Sequence, residues 1–151
     1  SKWQYSLGAV TATIHDTIIV LGAYSILDGV LPFSLEVDQA FIAAILTVIG
    51  YSLNDTVVVF DRIREFFNLQ SKDETKHKVI DNALNSTLSR TFNTSATTII
   101  VLLIIFVFGG EVLRGFIFAI LLGVVVGTYS SLFIASPVLN DTTDRLSKKK
   151  I

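Results

Sequence analysis

Read for apolar and polar positions alone, the chain divides into four greasy stretches separated by short polar ones. Runs of about 20 largely apolar residues are what a helix needs to cross a bilayer core. The pattern predicts spans over about 5–27, 39–60, 91–110 and 115–139. The third and fourth are free of charged residues, whereas the first and second each carry an acid. A soluble bundle of very apolar helices is the competing reading, but uncharged runs of this length are rarely hidden in so small a domain. The fold expected is therefore all-α: a polytopic bundle of four transmembrane helices forming one membrane domain over 1–151.

The connectors differ in charge. Asp28 to Asp38 holds no Lys or Arg, and the loop between spans three and four is only GGEVLR. The connector 61–90 carries Arg62, Arg64, Lys72, Lys76, Lys78 and Arg90, and the tail ends RLSKKKI. Four spans place both termini and this connector on one face, which then holds eleven of the twelve basic residues. By the bias of Lys and Arg towards the inside, that face is cytoplasmic. Within the connector, Val79, Ile80, Ala83, Leu84 and Leu88 recur at helical spacing, and Glu74 precedes Lys78 by four. This predicts a cytoplasmic amphipathic helix at the interface that leads into span three, or more plainly a connector helix.

Span four has a second regularity. Gly115, Ala119, Gly123, Gly127, Ser131 and Ala135 are all small and spaced by four. They make one seam where a neighbouring backbone can approach closely, as a static packing surface or as one that slides. Thr128 and Ser130 flank it and can bond carbonyls, and Pro137 is placed to help stop the helix.

Composition narrows the chemistry. Net charge is −1, leaving no basic excess to neutralise nucleic acid, and there is no cysteine for disulfides, thiolate metal sites or thiol catalysis. No signal-peptide pattern is evident, and the abrupt start at Ser1-Lys2-Trp3 reads as the start of a fragment. No metal motif, phosphate loop or nucleophile elbow occurs, so neither an enzyme nor a cofactor or metal protein is expected. The two histidines, His15 and His77, allow a Ser-His-Asp site only in principle, and His77 falls in a charged connector.

What remains is His15-Asp16 near the middle of span one and Asn54-Asp55 in the inner half of span two. A carboxylate inside the bilayer costs roughly 2.5–3.5 kcal/mol even on lenient scales, so it faces the bundle interior, pairs with a cation or takes up a proton. Arg90, at the entrance to span three, is the nearest cation by topology. An acid that alternates between a proton and an arginine is a relay element; the plainer alternative is an acid that cross-links helices, and His15 can simply bond a carbonyl. Asp61, Arg62, Arg64 and Glu65 mark the membrane edge, with the arginines as interface anchors.

GYSLNDTVVVFDRIRE (50–65) resembles the signature of the SecF half of the SecD–SecF protein-export family, of the resistance–nodulation–division superfamily. IHD (14–16), TLSRTFNTSATT (87–98), FGGEVLRGF (108–116) and GTYSS (127–131) extend the resemblance over nearly the whole chain. The resemblance implies a component of the bacterial cytoplasmic (inner) membrane that uses the proton-motive force to assist translocation of a preprotein. It implies SecD, separate or fused, and the translocon channel as partners, with lipid and protons as the medium. Family members have six spans and a periplasmic domain after the first, so this chain is similar to the last four spans. By matching motifs, Asp55 and Arg90 are the proton-path residues, with Asn54 beside Asp55 and Asp16 at a polar site of span one. A membrane scaffold that only docks SecD and the translocon, or another exporter of the superfamily, remains as an alternative.

Overall fold

A computed structural model describes residues 2–69 and 75–139. It contains α1 (Lys2–Leu27), α2 (Gln39–Leu69), α3 (Lys76–Phe108) and α4 (Glu111–Ser130), with α4 continued by a π turn (Ser131–Ala135). Four helices are long and apolar enough to cross a membrane, the last running over Glu111–Leu139. The stretch TTIIVLLIIFVF in α3 is rich in β-branched residues that favour strands in water. It is helical because lipid offers no partner for backbone groups, and a helix satisfies them within the segment.

Three sequence expectations are revised here. Helix does not stop at the membrane edge: α2 runs on to Leu69 and α3 already begins at Lys76. Neither 61–69 nor 76–108 contains Gly or Pro, so nothing breaks the hydrogen-bond ladder where hydropathy falls. The amphipathic segment from Val79 to Leu88 is helical, but as the opening turns of α3 rather than a separate element, and it buries Val79, Ile80 and Ala83. Glu74 and the basic tail lie outside the described residues. Pro137, in turn, does not stop the helix, which continues to Leu139. Its ring would clash with the carbonyl four residues earlier, and the π turn immediately before it widens the helix at that point.

Helices α2 and α4 each touch the other three, so they form the middle of the bundle, with α1 and α3 beside them. Two apolar cores fill the interior. One gathers Val20, Tyr24, Phe41, Val48, Ala119 and Val124; the other gathers Ala12, Val59, Phe60, Ile63, Ala83 and Ala135. Buried polar residues lie between them on every helix: Asp16 between Ala12 and Val20, Ser52 and Asp55 between Val48 and Val59, Thr91 and Ser95 between Ala83 and Ile99, and Ser130 and Ser131 between Val124 and Ala135. The interior is therefore a sandwich of apolar, polar and apolar layers.

The ends are tied by side chains. Asp38 Oδ1 accepts from the backbone N–H of Phe41 at 2.8 Å and caps α2. At the other end of the bundle, Arg62 donates to Ser86 Oγ (2.9 Å) and Glu65 Oε2 (2.5 Å) and lies over the Phe66 ring, so it joins α2 to α3. Tyr24 stacks near Phe41 and donates its hydroxyl to the Gly115 carbonyl, joining α1 to α4. Replacing Tyr24 by Phe keeps the ring contacts and removes that bond. It is expected to cost about 1 kcal/mol, read as a lower thermal-unfolding midpoint of the detergent-solubilised protein.

Candidate functional site

The polar layer is built by small side chains that let helices approach. Gly123 of α4 faces Val48 of α2 so closely that a Cβ there would collide with all three of its side-chain carbons. One turn on, a Cβ at Gly127 would lie 3.3 Å from Ser52 Cβ and 3.6 Å from Asp16 Oδ2. Gly115 passes the Ser34 carbonyl in the same way, and Ala119 and Ala135 are fully buried. The four-residue repeat thus lies against α2, α1 and the loop after α1. Its fifth member, Ser131, faces an acid rather than a packing surface.

Asp16 is wholly buried. Its Oδ2 accepts from Ser52 Oγ at 2.5 Å and from Ser130 Oγ at 2.8 Å, while His15 Nδ1 lies 3.1 Å from Oδ1. Asp55 is almost as deeply buried, but one donor reaches it among the described residues: Ser131 Oγ, at 2.7 Å from Oδ2. Neighbouring serines of α4 therefore hold the two acids, one each. A serine hydroxyl has one proton, and here each has a second acceptor on its own helix. Ser130 lies 3.2 Å from the Gly127 carbonyl and Ser131 3.0 Å from that of Thr128. When a carboxylate gives up its role as acceptor, the hydroxyl has a carbonyl to turn to.

A second strand of hydrogen bonds crosses the same layer. Tyr51 of α2 meets Ser95 of α3 at 3.2 Å, Ser95 meets Thr128 of α4 at 2.6 Å, and Thr128 also donates to the Val124 carbonyl at 2.7 Å. All four helices contribute to the layer. Among the described residues, no group of three His, Asp or Glu side chains could hold a metal ion.

The candidate residues from sequence fall into two sets. Asp16, His15 and Asp55 are brought together around α4. Asn54 is exposed on α2 and Arg90 on α3, where Arg90 shares a groove with Asp61, Glu65 and Thr87. Arg90 and Asp55 do not form an ion pair, and Ser131 occupies the place by Asp55 that topology suggested for the arginine. Sequence reasoning passed over Ser52, Ser95 and Tyr51. The signal for the first was its place four residues after Val48, on the stripe that packs against span four.

Comparison with known proteins adds to this geometry. A family model described as protein export membrane protein SecD/SecF, C-terminal, matches residues 1–145. A protein translocase subunit SecF of Rhodothermus marinus is 56% identical over 149 residues, covering 99% of this chain and 48% of that protein. The SecF of Vibrio alginolyticus is 50% identical over 135 residues, covering 89% of this chain and 41% of that protein. A crystal structure of SecDF in a super-membrane-facing form superposes with a TM-score of 0.88 at 39% identity, over 98% of this chain and 19% of that one. The chain thus spans less than half the length of these relatives.

Proposed function

The chain belongs to the SecD/SecF protein-export membrane protein family, and from that premise we propose that it is the membrane core of a translocase subunit driven by protons. Asp55 takes up and releases the proton, Arg90 is its counter-charge, and Asp16, with His15 beside it, is the fixed acid of the centre. The work is done on a preprotein in the translocon channel, with SecD as partner, in the bacterial inner membrane with the Arg62, Arg64 and Arg90 end towards the cytoplasm. No covalent chemistry is required of it beyond proton transfer.

One observation carries this reading: two carboxylates are buried within apolar, span-length helices, and adjacent serines of one helix hold one each. Ionisable groups at such depth are costly and are kept for ion or proton paths. Asp55, with a single donor, has an oxygen free for a proton. Taking one up removes its attraction to Arg90 and releases Ser131 to the Thr128 carbonyl, at the start of the π turn. Bonding changes at either acid therefore act on the same stretch of α4, which touches every other helix. The outward polar groups support a partner: Asn54, exposed within a span, is poorly matched to lipid and well matched to a neighbouring helix.

The test uses vesicles holding the full-length subunit with SecD and the translocon. An imposed proton gradient is expected to accelerate export of a preprotein, and a protonophore to remove that gain. Export equally fast with the protonophore present would leave only the scaffold. Arg90→Lys, measured in the same vesicles, is expected to keep export within about threefold, because the exposed guanidinium makes no forked bond to a carboxylate among the described residues and its charge is retained.

A further inference from the structure

Thr56 is the one buried side-chain hydroxyl without a hydrogen-bond partner among the described residues. It has no solvent exposure, lies next to Asp55, and follows Ser52 by one helical turn. An unbonded hydroxyl at such depth is costly and calls for a reason. The ordinary solution was within reach. Thr11, Thr13, Thr17, Thr47, Thr94, Thr97, Thr98 and Thr128 all donate to the carbonyl four residues earlier. For Thr56 that carbonyl belongs to Ser52, and it is not used.

We infer that Thr56 is a positioning residue for the proton on Asp55: its oxygen makes no bond to the carboxylate in this structure, and on protonation the side chains turn so that it accepts the carboxyl proton. This rests on the relay reading above and names the group that completes it. In the protonated state no buried hydroxyl of the group is left without an acceptor. In the charged state Ser131 donates to Asp55 Oδ2, and Oδ1 has no donor. A proton delivered from hydronium of the aqueous phase then forms the Oδ1–H bond and leaves neutral water behind. That O–H donates to Thr56 Oγ1, the Thr56 hydroxyl donates to the Ser52 carbonyl as the eight threonines named above do to theirs, and Ser131 turns to the Thr128 carbonyl. Neighbouring side chains of one helix do meet in this bundle, as His15 and Asp16 do at 3.1 Å.

The titratable groups around Asp55 on the packed elements are Asp16 and His15 of α1 and Arg90 of α3. At this level α4 offers hydroxyls alone, and the next charges of α2 itself are Asp61 and Arg62, almost two turns away.

The experiment measures gradient-driven export against pH in vesicles of the full-length complex, with the infrared band of the protonated carboxyl followed in parallel. Thr56→Val keeps the shape and removes the oxygen. It is expected to accumulate normally and to lower the export midpoint by about one pH unit, the equivalent of one neutral hydrogen bond to the protonated form. The carboxyl band moves to higher frequency, and Thr56→Ser restores both readings. If the valine variant fails to accumulate, Thr56→Ala carries the same expectation. An unchanged midpoint and band, or a shift that serine does not reverse, overturns the role of Thr56 while leaving the relay standing. Gradient-dependent export that persists in Asp55→Asn, with its carboxyl band still present, overturns both.

Discussion

Asp55→Asn is expected to abolish the gain in export that a proton gradient provides, a fall of at least about tenfold, while leaving the bundle assembled. Asparagine has the shape of aspartate, and its amide oxygen can still accept from Ser131, which lies 2.7 Å from the carboxylate. The buried hydroxyl therefore keeps a partner, and the stability change should remain within about 1 kcal/mol. What is lost is the ability to hold a proton reversibly and, with it, the alternation of Ser131 between two acceptors. A tenfold fall corresponds to roughly 1.4 kcal/mol in the driven step. Gradient-driven export of the variant should match that of the wild type with a protonophore. Undiminished export from an assembled complex would instead mean that the polar layer serves only to join helices.

Gly123→Leu is expected to prevent assembly of the bundle altogether. A Cβ at position 123 would lie 2.9 Å from Val48 Cβ and closer still to both of its methyl carbons, and Val48 is 1% exposed. Neither side can yield easily, since α2 and α4 meet here along the middle of the bundle. Alanine at this position is expected to cost roughly 1–3 kcal/mol by overpacking, and leucine more, because three further carbons enter the same contact. Thermal unfolding of the solubilised protein measures the first, and failure to accumulate in the membrane reports the second. Combining Gly123→Ala with Val48→Ala should recover most of the alanine loss, since the two changes share one contact. Gly50→Ala is the control: nothing lies within 4 Å of a Cβ there, so no comparable loss is expected.

The two predictions draw on different kinds of information. The seam that contains Gly123 is visible in the chain as small residues spaced by four, because that spacing returns to one face of a helix. Which helix it meets is not visible, and neither is the fact that Ser131 stands out from the packing role of the rest. Asp55 is conspicuous in sequence because an acid interrupts an apolar run. Its partner is not. Arginine is the expected partner of an acid by charge, yet a serine 76 residues away reaches it first. Serines and threonines abound here and most threonines simply bond their own helix, so composition cannot say which hydroxyls turn to a neighbour.

By itself, the sequence determined the class of fold, the number of spans, the presence of acids inside them and the small-residue seam. These follow from transfer energies and helical periodicity, which act residue by residue. Tertiary structure decided how far the helices run beyond the apolar stretches and that buried polar groups on all four helices share one layer. It also decided that Ser130 and Ser131 divide two acids between them and that Thr56 is left unbonded. These depend on the rotation and height of each helix against its neighbours. Close packing of Gly123 and Gly127 against α2 sets both, and only contact between distant parts of the chain can do so.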